Sequence, residues 1–241
     1  MDIRIYLGDE RPVSDVPAPV LILLSLALAL QILWYSLRPE PQAQARALPA
    51  PPSVETIRVL GLDDPLAASR ATMLWLQAFD NQPGISIPFI RLDYDRVIAW
   101  LDTCLRLDGK SQYPLLAASR LYTLPPDEVR VRKMLAFVYR KFFDDPDRRW
   151  VWLAHGVYVA KHRLHDSELA LRFARALRLH TSGPAVPDWI REMEVYVLED
   201  MGEIEAAKIL IGGLLESGTI TDPNEIRFLN DRLELLESDS N

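Results

Sequence analysis

Residues 152–177 read WLAHGVYVAKHRLHDSELALRFARAL, and residues 189–214 read WIREMEVYVLEDMGEIEAAKILIGGL. Both open on a tryptophan, carry a V-Y-V triplet shifted by one position, and reach a short turn at His165-Asp166 or Gly202-Glu203. Small residues follow at Ala170 and at Ala206-Ala207, and each stretch closes on an apolar run. Trp152 and Trp189 are 37 positions apart, near the period of helix–turn–helix repeats. A large residue on the first helix and a small one on the second let two helices approach closely, and stacked pairs bury a continuous core.

Outward from this pair, the signals from Asp64 onward stay helical. Asp64-Pro65, Asp145-Pro146 and Asp222-Pro223 each set a good N-cap before a proline, whose missing N–H is harmless in a first turn. Glu225 stands three residues after Asp222, the spacing of a capping box. Apolar periodicity predicts nine helices, over 64–80, 94–107, 112–123, 127–143, 147–163, 166–180, 188–200, 203–217 and 223–237. Most connections are short, so neighbours should form antiparallel hairpins. No segment alternates as a strand would. Asn81–Leu92, NQPGISIPFIRL, fits no helix because of its prolines and glycine. It is too apolar for an exposed loop, so it reads as an extended segment packed across helices or as a partner-docking strip through Ile85, Ile87 and Phe89.

The run Gly202-Glu203-Ile204-Glu205-Ala206-Ala207 resembles the mid-repeat glycine and alanine pattern of tetratricopeptide (TPR-like) repeats. The earlier unit has His165 where that family has glycine, and insertions such as Thr181–Pro187 displace the family's late proline. The resemblance covers roughly residues 144–237; the helices of 64–143 are TPR-like only in general architecture. It implies an all-α solenoid of antiparallel helix pairs that binds protein partners, and it names no ligand. An irregular helical bundle without a true repeat is the alternative, since periodicity alone does not separate the two.

At the other end, residues 19–37, PVLILLSLALALQILWYSL, carry no formal charge. A helix of that length approaches the ~30 Å hydrocarbon core of a bilayer. Trp34 and Tyr35 sit at one end, where amphipathic rings favour the headgroup level. A cleaved signal peptide would want a basic leader and a shorter apolar run. A buried core helix would show a polar stripe. The expected organisation is a short tail over 1–17, a transmembrane helix over 18–37, a Pro/Ala-rich stalk over 38–63 and a helical-repeat domain over 64–241. Arg4 and Arg11 before the span balance Arg38 and Arg46 after it, so flank charge does not orient it. The stalk suits a domain held off the outer face, in a periplasm. Ser25 and Ala29 form a small-xxx-small pair, through which two anchors could associate as a homodimer.

Composition narrows the function. Hydrophobic residues make up 49% of the chain, too many for wholesale disorder. The single cysteine, Cys104, excludes an intramolecular disulfide framework and multi-cysteine metal sites. Arginine outnumbers lysine 22 to 5, the bias of a GC-rich bacterial coding sequence. The net charge of −7 is uneven: residues 130–178 carry twelve basic against five acidic side chains, and residues 188–241 four against fourteen. Lys161, Arg163, Arg172, Arg175 and Arg178 could meet an acidic partner or anionic headgroups, or pair with Glu192, Glu194 and Glu199 of the following helix. An overall acidic, tethered chain is a poor nucleic-acid binder. No phosphate loop, HExxH or GxSxG motif occurs. His162 and His165 share a helical face without further ligands at metal spacing, so neither a metal nor a cofactor is expected. Glu216-Ser217 resembles the Glu-Ser pair of lytic transglycosylases, but Gly218 reads as a helix stop and that family's downstream motif is absent. The chain is therefore expected to be a non-enzymatic, single-pass inner-membrane scaffold or adaptor for an envelope complex. A membrane-tethered holdase chaperone is the alternative, and a cell-wall hydrolase the remotest reading.

Overall fold

A computed structural model of the chain describes residues 16–38 and 45–238. Of the predicted tail, residues 1–15 lie outside the described residues; so do 39–44 of the predicted stalk and 239–241 at the C-terminus. Two compact units are present, one within Met1–Gln44 and one within Ala45–Asn241. The first contributes α1 (Ala18–Leu37), whose residues are all exposed. Its mean hydropathy of 2.2 and 20-residue length make it a candidate membrane span, and a signal sequence near the N-terminus meets the same criteria. Trp34 and Tyr35 lie in its last turn, and the Arg38 guanidinium sits 5.6 Å over the Trp34 ring.

The second unit is built from α2 (Val54–Leu60), α3 (Pro65–Ala78), α4 (Tyr94–Leu107), α5 (Tyr113–Leu116), α6 (Glu128–Phe142), α7 (Pro146–His162), α8 (Ser167–His180), α9 (Trp189–Asp200), α10 (Ile204–Ser217) and α11 (Pro223–Ser238). From α6 to α11 each helix packs on the next, so the order in sequence is the order in space. Three apolar clusters follow one another along the chain. Helices at the boundaries serve two of them. From α6, Met134 and Phe137 enter the first cluster and Leu135 and Phe142 the second; from α9, Ile190 enters the second and Val195 the third. This two-sided burial is what stacked helix pairs require.

Local chemistry accounts for most helix starts. The carboxylates of Asp64, Asp127 and Asp166 accept from the third backbone N–H beyond them, at 3.0, 2.9 and 2.8 Å, satisfying first-turn donors. One predicted cap behaves otherwise: Asp145 accepts from Arg148 Nε at 2.9 Å instead of capping α7. Asp222 does cap α11, accepting from the Asn224 N–H at 2.8 Å, but its capping box with Glu225 does not form, because the Asp222 N–H donates to Asp188 Oδ2 at 3.2 Å. The predicted helix over 112–123 divides into α5 and a π-helical turn, Ala117–Leu121, closed by the Tyr122 N–H on the Ala117 carbonyl at 2.9 Å.

The largest difference lies in the predicted stalk. Residues 45–63 pack into the helical unit instead of spacing it. Leu48, Val54 and Ile57 are buried, the Trp100 indole donates to the Pro49 carbonyl at 2.9 Å, and Ser53 caps α2 through Thr56 N–H at 3.2 Å. The Pro/Ala composition of the stretch conceals a short Ser-capped amphipathic turn, with Val54 and Ile57 three residues apart on one face. Asn81–Leu92 also departs from the strand-free expectation. It forms a minimal antiparallel hairpin, β1 (Asn81–Gln82) with β2 (Ile85–Ser86), turned by Gly84 at φ 78°, then a 3₁₀ turn at Phe89–Arg91.

The two stretches that frame the sequence argument become the hairpins α7–α8 and α9–α10. Their turns match: His165 has φ 51° and Gly202 φ 78°, so a non-glycine residue holds the left-handed place that glycine holds in the second hairpin. Their triplets match too, with Val157, Val159, Val195 and Val197 buried and Tyr158 and Tyr196 turned outward. The tryptophans do not. Trp152 is buried and donates to Gln112 Oε1, whereas Trp189 is half-exposed against Trp150. The triplet tyrosines are 38 residues apart, and at that offset Trp152 corresponds to Ile190, which is fully buried.

Candidate partner-binding groove

Helix α8 carries its apolar side, Ala170, Phe173, Ala174 and Leu177, into the second core and leaves its arginines outward, as its periodicity predicts. Its N-terminus is held by Asp166. The Arg132 guanidinium, then the Leu169 N–H, keep that carboxyl below the usual carboxylate range. Beneath the arginines lies α9. Arg175 Nε donates to Glu194 Oε1 at 2.9 Å and Arg178 Nε to Oε2 at 2.7 Å. Glu194 is 3% exposed, so one buried carboxylate answers two guanidiniums and the pair leaves a positive surplus on a half-exposed Arg175.

Across α9 from α8 stands α10, and between these two helices runs an open groove of about 860 Å³. Glu194 and Leu198 form its floor, Arg175, Arg178 and Leu179 one wall, and Ile209 and Gly213 the other. Leu179 and Ile209 expose most of their surface on the two rims. The reason the groove exists can be traced residue by residue. In α7–α8, Gly156 faces Phe173, whose ring atom Cδ2 lies 3.4 Å from where a glycine-replacing Cβ would sit. At the repeat offsets of 38 in the first helix and 37 in the second, Gly156 corresponds to Glu194 and Phe173 to Leu210. A carboxylate under two arginines and a smaller apolar residue stand where the first hairpin packs glycine against a ring. A Cβ at Gly212 or Gly213 would meet no atom within 4 Å, so both lie beside open space, Gly213 in the groove wall.

The other predicted basic residues have separate partners. Lys161 pairs with Asp200, and Arg163 donates to the carbonyls of Thr123 and Leu124. Arg172 lies over the Tyr139 ring at 5.5 Å and the Phe173 ring at 5.7 Å. Of the five, only Arg175 and Arg178 meet in the groove. Ile87 is buried and Phe89 is packed 5.6 Å from Tyr122, with Ile85 half-buried in the hairpin, so this strip is largely built into the first core. Glu216 is exposed at the end of α10. His162 is exposed beside Tyr158, and His165 occupies the left-handed turn. Among the described residues no three His, Cys, Asp or Glu side chains gather as a metal site. Cys104 is buried, and burial pushes its thiol up to about 12.

The three glutamates of α9 go three ways instead of all meeting α8. Glu194 takes the arginines, Glu199 pairs with Arg232 of α11, and Glu192 is fully buried with neither oxygen hydrogen-bonded among the described residues. Burial, then the Glu225 carboxylate and Asp188, push Glu192 up to about 7. Sequence reading misses this. The one available signal is its spacing three residues before the buried Val195, which places a carboxyl on the apolar side of the helix.

No family model, no curated protein and no solved structure matches this chain.

Proposed function

We propose that this chain is a membrane-tethered scaffold or adaptor of a bacterial envelope complex. Its TPR-like helical unit would receive a partner segment in the groove of α8, α9 and α10. The observation that carries the reading is the groove's make-up: exposed Leu179 and Ile209 on its rims over the guanidiniums of Arg175 and Arg178. Apolar rims supply contact area, and a surplus of guanidinium charge selects carboxylates with geometric precision. The suited occupant is an acidic segment bearing large apolar side chains. The left-handed turns at His165 and Gly202 and the matched V-Y-V burial support a repeat origin for the two hairpins. The tether is α1, with the helical unit on the periplasmic side.

A photo-crosslinking residue at position 209 of the full chain, activated in cells, tests this. One discrete partner adduct is expected from position 209 and none from position 129, where Val129 is similarly exposed on α6. Arg175→Glu should abolish the adduct. The absence of an adduct at 209, or an equal one at 129, overturns the reading. A compartment-sensitive reporter fused after Asn241 decides the side of the membrane. A holdase would use Asn81–Leu92, and the burial of Ile87 and the packing of Phe89 leave that alternative with no observation in its favour.

A further inference from the structure

At the N-terminal edge of the helical unit the polarity pattern inverts. Val59, Leu60 and Leu62 are 76%, 76% and 92% exposed, consecutive apolar knobs on the end of α2 and its following turn. They are not a frayed end. Leu62 and Asp63 both hold the left-handed conformation, at φ 53° and 60°, which leucine rarely adopts. Backbone bonds fix it: the Asp63 N–H donates to the Arg58 carbonyl at 2.9 Å and the Asp64 N–H to the Gly61 carbonyl at 3.0 Å. Gly61 seats the turn, since a Cβ there would come 2.7 Å from Ala68 Cβ. A strained turn, tied down on α3, therefore holds a leucine almost wholly in solvent. Behind it, Leu60 and the half-exposed Trp75 border a shallow, mostly apolar cleft of about 270 Å³, with the Trp75 ring tilted at 46° against Trp100, centroids 4.6 Å apart.

We propose that this edge, with Leu60, Leu62 and Trp75 as its contacts, is a lipid-docking surface that lies on the bilayer entered by the chain's own N-terminal helix. The proposal rests on reading α1 as a retained anchor. Three observations select lipid as the occupant. Val59, Leu60 and Leu62 each stand mostly in solvent, and such separate apolar knobs suit an interfacial layer of headgroups and acyl chains. Trp75 has the amphipathic ring favoured at that depth. The incoming chain also packs at this same edge, where the Pro49 carbonyl accepts from Trp100. Only ten residues separate Leu37 from the buried Leu48, at most about 40 Å of extended chain from one to the other, so the tether keeps the knobs at high effective concentration near the membrane. Glu55, Arg58, Asp63 and Asp64 flank the patch in sequence and Arg106 lies near Glu55, which leaves no basic excess, so the docking should be apolar and insensitive to anionic lipid.

The test uses the full chain reconstituted in phosphatidylcholine vesicles, with single cysteines carrying an environment-sensitive fluorophore; Cys104 is buried and replaced by serine. Labels go at Leu62→Cys, at Ile209→Cys as another largely exposed apolar position, and at Leu28→Cys in α1. In the vesicles the labels at 62 and 28 should be blue-shifted and quenched by spin-labelled lipid, and the label at 209 should show neither. Replacing part of the phosphatidylcholine by phosphatidylglycerol should not alter this. If 28 is quenched while 62 behaves like 209, the docking proposal fails and the anchor stands. If 28 is not quenched, the anchor reading fails and takes the proposal with it. A blue shift at 62 that grows with protein concentration in detergent, without lipid quenching, assigns the edge to a second copy and overturns lipid docking.

Discussion

The hairpins α7–α8 and α9–α10 share a turn conformation, a buried-valine triplet and a small-residue second helix, yet one is sealed and the other is open. In the first, Gly156 admits the Phe173 ring, which stacks on Tyr139 at 5.1 Å and is 1% exposed. In the second, Glu194 and Leu210 hold the corresponding places and line the groove. The same supersecondary unit thus becomes sealed core or open groove according to the two residues at its helix crossing. Phe173→Ala should break the sealed hairpin at a cost of about 3–5 kcal/mol, from lost transfer energy and the cavity left behind. Leu210→Ala, at a half-buried groove position, should cost about 1 kcal/mol. Urea unfolding of the full chain in detergent, followed by far-UV circular dichroism, measures both. Equal losses would mean that the two crossings are energetically alike.

A second contrast is electrostatic. At the 38-residue offset, the buried Glu192 of α9 corresponds to the buried Ala154 of α7. Glu192 is raised from 4.5 to about 7, with Glu225 and Asp188 as its like-charged neighbours and Tyr196 close by. Between those two values the native state holds a proton that the unfolded chain has released. Stability should therefore be full below about pH 4.5 on this account and fall as pH rises through 7. Glu192→Gln should remove that slope and stabilise the protein at pH 8 by up to about 3 kcal/mol, the free energy of the shift. Unfolding midpoints at pH 5, 6, 7 and 8 for both proteins check this. Burial lowers the pKa of His155 and gives a slope of opposite sign, so the difference between the two proteins is decisive: a wild-type midpoint that declines no more than that of Glu192→Gln across this range contradicts it.

These contrasts also mark how far the residues alone can be read. Helix placement follows from apolar spacing and Asp caps, and α4 runs over the residues its pattern predicts because its cap and stripe agree. What escaped was set by partners distant in sequence. The stretch 45–63 looks like a spacer until Trp100 and the first core are brought against Leu48 and Ile57. Trp152 and Trp189 look equivalent by spacing, yet Trp152 stands five residues before its triplet and Trp189 six, which sends one inward and the other to the surface. Arg175 and Arg178 were legible as an outward stripe, and Glu194 as one of three possible partners. The choice among those three depended on which face of α9 each carboxylate shares with a core residue, a matter of crossing geometry and not of composition.

The turns sharpen the repeat comparison at the smallest scale. Both His165 and Gly202 are left-handed, but glycine reaches that region freely, whereas a side chain there brings Cβ close to the following carbonyl. His165→Gly should then relieve strain in the α7–α8 turn, offset in part by the greater entropy of glycine in the unfolded chain, for a net gain of about 0.5–1 kcal/mol. Gly202→Ala has open space around its Cβ, so no clash enters and the φ alone should cost about 1 kcal/mol. The two changes test one backbone geometry from opposite sides, and thermal unfolding of the two single variants and their double reads them out. Because the turns lie 37 residues apart in sequence and belong to different hairpins, the effects should add. Opposite signs of similar size would mean that the histidine is a tolerated stand-in for glycine. A loss at His165→Gly would mean that the imidazole contributes contacts of its own, and that the two turns are alike in shape without being alike in what stabilises them.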